Sequence, residues 1–75
     1  MNTFNVGDLY LINQPYQGIL KEAEIVDVCH KPALVRTPDG WEKAEDFNKK
    51  VLCKLGHYEL RGWGIFKRRV FVKER

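Results

Sequence analysis

The sequence predicts a small, mainly β domain of short antiparallel strands, and three observations carry that prediction. At 75 residues the chain has room for one core and little else, because a folded chain of this size buries only roughly 60% of its unfolded surface. Its composition is 44% hydrophobic, 31% charged and 12% aromatic, which excludes a disordered tail, a collagen-like repeat and a coiled coil. Its apolar residues come in short runs punctuated by Gly and Pro, with turn sequences at Pro38-Asp39-Gly40 and Gly62-Trp63-Gly64. With no internal repeat and no linker, a single domain over residues 1–75 is expected, with a core at 6–56 and a C-terminal hairpin at 57–75.

The first strand is Asp8–Asn13, opened by Gly7. Leu9 and Leu11 alternate there with Tyr10 and Ile12, as in a strand covered on both faces. Gln14–Gly18 is a loop punctuated by Pro15 and Gly18, with Tyr16 packing back across it. Glu22–His30 follows. Ala23 and Ile25 share one side and Val26 and Val28 the other, so the alternation slips by one between Ile25 and Val26. A bulge accounts for such a slip, and bulges bend the strands of small barrels. Ala33–Thr37 is the third strand, and it ends in a tight turn in which Gly40 takes a positive φ.

Residues 41–55 support two readings. As strands, Trp41–Phe47 pairs back on Ala33–Thr37, Asn48–Lys50 forms a short turn, and Val51–Leu55 is the next strand. As a helix over Trp41–Leu55, the residues Trp41, Ala44, Phe47, Val51, Leu52 and Leu55 share one face. Asp39 would then cap it, Gly56 would stop it, and Glu45–Lys49 and Asp46–Lys50 would pair along it. The first reading makes the domain mainly β; the second makes it α+β. In the tail, Tyr58–Arg61 and Ile65–Lys73 form a hairpin across Gly62-Trp63-Gly64. Phe66, Val70 and Val72 lie on its core side and Ile65, Lys67, Arg69, Phe71 and Lys73 on the other, with Arg68 a misfit that a strand end would explain.

Under the strand reading, residues 6–56 give five short strands with a long first loop and a one-turn connection before the last. Together with Gly7-Asp8-Leu9, Gly40-Trp41 and Ala44-Glu45-Asp46-Phe47, this order resembles the SH3-like small β-barrel, over about two-thirds of the chain. The resemblance implies an antiparallel barrel with the C-terminal hairpin as an extension. It implies no function, because the barrel hosts many. The proline-peptide-binding version needs aromatic and acidic residues around its long loop, and this loop offers one tyrosine and one proline.

The chain is poorly equipped for catalysis. It contains no serine, and its two histidines are His30 and His57. Cys29 and His30 are adjacent, so on a strand they point to opposite faces. Gly62-Trp63-Gly64 lacks the third glycine and the helix of a phosphate-binding loop. No enzyme activity, cofactor or small-molecule substrate is expected. Cys29, His30, Cys53 and His57 are zinc-ligand types, but a structural site uses two spaced pairs and Cys29-His30 has no spacer. No metal is expected either, and both cysteines should pack as small hydrophobes. Met1–Gly7 does not read as a signal peptide and no run approaches the ~18 apolar residues of a membrane span, so a cytoplasmic location and no membrane partner are expected.

Charge is distributed unevenly. Residues 61–75 carry six basic side chains and one acid, a net of +5, whereas residues 1–60 carry seven basic and nine acidic, a net of −2. Arg61, Trp63, Lys67, Arg69, Phe71 and Lys73 are therefore the candidate binding residues. Basic side chains neutralise phosphates and exposed aromatics stack on bases, so nucleic acid is one expected partner. A larger protein complex is the other, since Trp and Arg dominate protein interfaces; a polymerase or nuclease complex would combine both. Two placements of Trp63 stay open: exposed at the hairpin tip, or folded back to close one end of the core. Phe4, Tyr10, Trp41 and Phe47 are expected in the core.

Overall fold

The computed structural model describes residues 4–14 and 18–74. Its elements are β1 (Asp8–Gln14), β2 (Ile19–Glu24), β3 (Asp27–His30), β4 (Ala33–Thr37), β5 (Gly40–Lys43), α1 (Ala44–Lys50), β6 (Val51–Arg61) and β7 (Arg68–Lys73), with a single 3-10 turn at Gly64–Phe66. The strands form two antiparallel sheets, ordered β2-β1-β6-β7 and β3-β4-β5. The protein is mainly β, and its curled sheet makes a half-barrel. The loop expected around Pro15 and Tyr16 lies outside the described residues.

The slip at Ile25–Val26 marks a change of sheet. The Ile25 N–H donates to the Asp8 carbonyl at 2.8 Å, and the next N–H, of Val26, donates to the Arg36 carbonyl at 2.8 Å. Consecutive amides thus serve different sheets, and the expected single strand Glu22–His30 is divided into β2 and β3. The Thr37–Gly40 turn forms as anticipated: Gly40 has φ +118°, and the Thr37 hydroxyl accepts the Asp39 N–H at 3.2 Å.

Residues 41–55 match neither sequence reading in full. The strand stops at Lys43, and Ala44–Phe47, expected as strand, begins a helix of 7 residues. Asp39 does not cap it; Lys43 occupies the N-cap without a side-chain bond. Acids in its first turn and lysines in its last suit the helix dipole, and Phe47, its one buried residue, anchors it. Lys50 pairs with Glu42 on β5 at 2.8 Å instead of with Asp46.

The core consists of Phe4, Tyr10, Ile12, Ala23, Ile25, Val35 and Phe47. Phe4, Tyr10 and Phe47 meet edge to face, with ring centroids 5.3 to 5.9 Å apart, the arrangement that aromatic quadrupoles favour. Trp41, expected with them, is 49% exposed: β5 is the outermost strand of its sheet and Trp41 lies outside the core cluster. Beside the core, the Asp8 carboxylate accepts from the Tyr10 hydroxyl at 3.3 Å and from the Asn5 N–H at 3.2 Å. Burial, followed by the Asp8 charge and hydrogen bond, pushes the Tyr10 pKa up to about 12.

β6 runs unbroken through Gly56, where two separate strands were expected. Its first part pairs with β1, across two register shifts, and its second with β7. The molecule measures 42 × 28 × 22 Å with a radius of gyration of 13.3 Å, above the roughly 11 Å of a compact chain this long. The excess fits an arm, the outer end of β6 with β7, that projects from the half-barrel.

Candidate functional site

The arm is fastened at its base. Gly7 donates its N–H to the Ile25 carbonyl and accepts the Tyr58 N–H on its own carbonyl, both at 2.8 Å, so one residue ties together β1, the end of β2 and β6. Its φ is +97°, and a Cβ there would lie 2.9 Å from the Tyr58 carbonyl oxygen; glycine is required. Gly56 makes room in a different way. A Cβ at that position would collide with the Val72 carbonyl oxygen and lie 2.6 Å from Cζ of Phe71, so the missing side chain lets β7 approach and the Phe71 ring settle over it.

On the outer face, cross-strand register sets Tyr58 opposite Phe71 and Leu60 opposite Arg69. The Tyr58 and Phe71 rings are 5.2 Å apart. The Arg69 guanidinium stacks 4.3 Å from the Tyr58 centroid and donates from Nη2 to Oε2 of Glu24 on β2 at 2.5 Å. That bond also holds Arg69 above the ordinary arginine range. Arg69 is therefore partly a strut between arm and barrel. Val6, Gly7, Glu24, Tyr58, Leu60 and Arg69 border an open groove of ≈ 450 Å³. On the other face, Glu59 accepts from Arg61 Nε at 3.1 Å and shares a 2.9 Å hydrogen bond with His57 Nε2. His57 first, and then Arg61, hold the Glu59 carboxyl below its usual range.

At the tip, Gly62 and Gly64 take φ of +97° and +63°, and the 3-10 turn closes with the Phe66 N–H on the Trp63 carbonyl at 3.1 Å. This turn holds Ile65 and Phe66 out of the strand expected to contain them. Trp63 is 85% exposed, Ile65 91%, Phe66 77% and Leu60 70%. Trp63 does not fold back over the core.

The six candidate residues therefore occupy distinct places. Arg69, Phe71 and Lys73 alternate along the outer face of β7, and Trp63 stands at the tip. Lys67 follows the 3-10 turn and precedes β7, so it is not on the strand. Arg61 lies on the opposite face with Glu59. Arg68 is indeed a strand end. Contrary to expectation, the other face of β7 adds nothing to the buried core: Val70 and Val72 are half-buried and lie outside the core cluster, because β7 packs on the projecting half of β6. Sequence reasoning placed Ile65 on the outward side but missed Phe66, assigned to the core side, and Leu60 as surface residues; the two glycines flanking Trp63 were the available signal. Among the described residues, Lys67, Arg68 and Lys73 have no carboxylate within ion-pair distance.

Cys53 is exposed and Cys29 half-buried, and both are free thiols, so neither packs as a fully buried hydrophobe. The described residues contain no group of three or more His, Cys, Asp or Glu placed to hold a metal, and no described helix is long and apolar enough to cross a membrane. No protein-family model matches this chain, and neither a curated protein nor a solved structure matches it. Fold and surface together define a small mostly-β protein with a half-barrel and a projecting basic-aromatic arm.

Proposed function

We propose that this is a non-enzymatic regulatory protein that docks through its β6–β7 arm onto a larger protein, whose surface offers an apolar pocket with an acidic rim. The observation that carries this reading is the cluster of Leu60, Trp63, Ile65 and Phe66, all exposed at one end of the arm. Large apolar side chains grouped on a protruding tip leave a surface suited to burial in a partner, and tryptophan is the commonest anchor of such interfaces. Lys67 and Arg68 beside them supply the charge that an acidic rim complements, steering encounter and fixing register. The SH3-like reading of the half-barrel belongs to the same proposal: β1, then β2 and β3 as one bent segment, β4, β5 and the first part of β6 follow that order, with a short helix before the last.

A second reading is favoured by three cations of the tail that have no acidic partner among the described residues. Lys67, Arg68 and Lys73 would neutralise phosphates while Trp63 stacks on a base. A photo-crosslinking residue placed at position 63, with position 41 as control, separates the two in nuclease-treated cell lysate. Docking predicts a protein adduct at 63 that survives nuclease and is absent at 41. Adducts that disappear with nuclease select the second reading, and no adduct at 63 overturns both.

A further inference from the structure

We infer that β7 accepts an extended acidic segment of the partner as an added strand along its open edge. The inference rests on the docking reading of the arm and adds the chemistry of what docks. Among the described residues, β7 is the last strand of its sheet and bonds to β6 alone. Beyond its end, the Glu74 N–H donates to the Leu55 carbonyl at 2.9 Å. Antiparallel pairs alternate between bonded and non-bonded. From that anchor, Val72, Val70 and Arg68 bond to His57, Glu59 and Arg61, their register partners. Arg69, Phe71 and Lys73 therefore aim their N–H and carbonyl groups away from the sheet.

Charge selects the occupant. Side chains on the outer face alternate as Arg69, Phe71 and Lys73. A second copy paired antiparallel about Phe71 would set Arg69 opposite Lys73, and a like-charged cross-strand pair is destabilising. An acidic segment reverses the sign: acids opposite Arg69 and Lys73, with an apolar residue opposite Phe71, match every position. Arg69 commits only Nη2 to Glu24 and keeps donors for a second carboxylate. The remaining edges fit less well. β2 mixes Lys21 with Glu22 and Glu24, and its Lys21 is held by Asp39 at 2.5 Å; β3 and β5 are 4 residues each. Basic side chains also protect edge strands from aggregation, and the experiment distinguishes that role from binding.

The probe is a capped nine-residue peptide with isoleucine at its centre, glutamate two and four residues to either side of it and threonine between, added to the ¹⁵N-labelled full chain. Amide exchange at Arg69, Phe71 and Lys73 should slow by about tenfold, while Val70 and Val72, already bonded to β6, stay unchanged. Replacing the glutamates by lysine should abolish the effect, and Lys73→Glu should weaken the acidic peptide about fivefold with an unaltered near-ultraviolet circular dichroism spectrum. Trp63→Ala should leave peptide binding intact, so failure at the edge and failure at the tip are read separately. No slowing at millimolar peptide overturns the inference. So does equal slowing by the lysine peptide, or slowing of the same amides with rising protein concentration alone, which would make a second copy the occupant.

Discussion

Replacing Phe47 by alanine tests whether α1 closes the half-barrel. Phe47 is completely buried, is the only buried residue of α1, and meets the rings of Phe4 and Tyr10 at 5.3 and 5.9 Å. Truncating a buried phenylalanine costs about 3–5 kcal/mol, the lost transfer energy plus the cavity left behind. A chain of this length has about 4–11 kcal/mol to lose, so Phe47→Ala should remove a large share of the total. At about 4–8 °C per kcal/mol for a domain of this size, Tm should drop by at least about 12 °C. Trp41→Ala is the control. Tryptophan is the larger side chain, but Trp41 is 49% exposed, and its removal should cost no more than about half as much. Urea titration of both variants, followed by circular dichroism, supplies the numbers. A loss below about 1 kcal/mol at Phe47, or a larger loss at Trp41 than at Phe47, would refute this account of the core.

Gly7→Ala should cost about 2 kcal/mol or more in the same urea titration, combining a positive φ with the approach to the Tyr58 carbonyl; a change within about 0.5 kcal/mol would mean the arm is fastened elsewhere. Arg69→Ala should leave the urea midpoint almost unmoved, because its partner-bearing side chain is 54% exposed and such pairs and cation–π contacts are each individually weak; a shift as large as that of Phe47→Ala would contradict this. Tyr10 keeps its proton in the folded state up to about pH 12, whereas the unfolded chain releases it near 10. The unfolded state then binds fewer protons above pH 10, so the Tyr10 contribution to stability is complete below that pH and is lost as pH rises through 12. Phenolate absorbance should show Tyr10 titrating late, and Asp8→Asn should bring it part of the way back, leaving the share due to burial.

Much of the half-barrel was legible because its signals are local. The slip in alternation at Ile25–Val26 located the corner, though not that the strand changes sheets there, since only the distant carbonyls of Asp8 and Arg36 decide that. Pro38-Asp39-Gly40 fixed a turn through backbone chemistry alone. The helix was hard to place because two short-range signals overlapped: apolar spacing ran from Trp41 to Leu55, but β4 holds Gly40–Lys43 in its sheet and the β1 ladder takes over from Val51. Only the seven residues between them were left to coil. In the tail, composition identified the arm as basic and aromatic. The Glu24–Arg69 bond, 45 residues apart in sequence, leaves no local trace, so Arg69 read as a free surface charge. The 3-10 turn that exposes Ile65 and Phe66 was hidden inside what looked like a continuous strand.

The docking role of the arm is tested most directly by titration calorimetry against the protein crosslinked at position 63, comparing the native chain with Trp63→Ala and with the pair Lys67→Glu and Arg68→Glu. These positions make no described ion pair and bury little surface, so the fold should persist in both variants. Trp63→Ala should cost about 2 kcal/mol or more, roughly thirtyfold in Kd. The charge-reversed pair should also weaken binding, and the salt dependence should be shallow. Affinity unchanged in both variants, or a slope of about 0.7–0.9 log units per log unit of salt for each phosphate neutralised, would contradict docking through the arm.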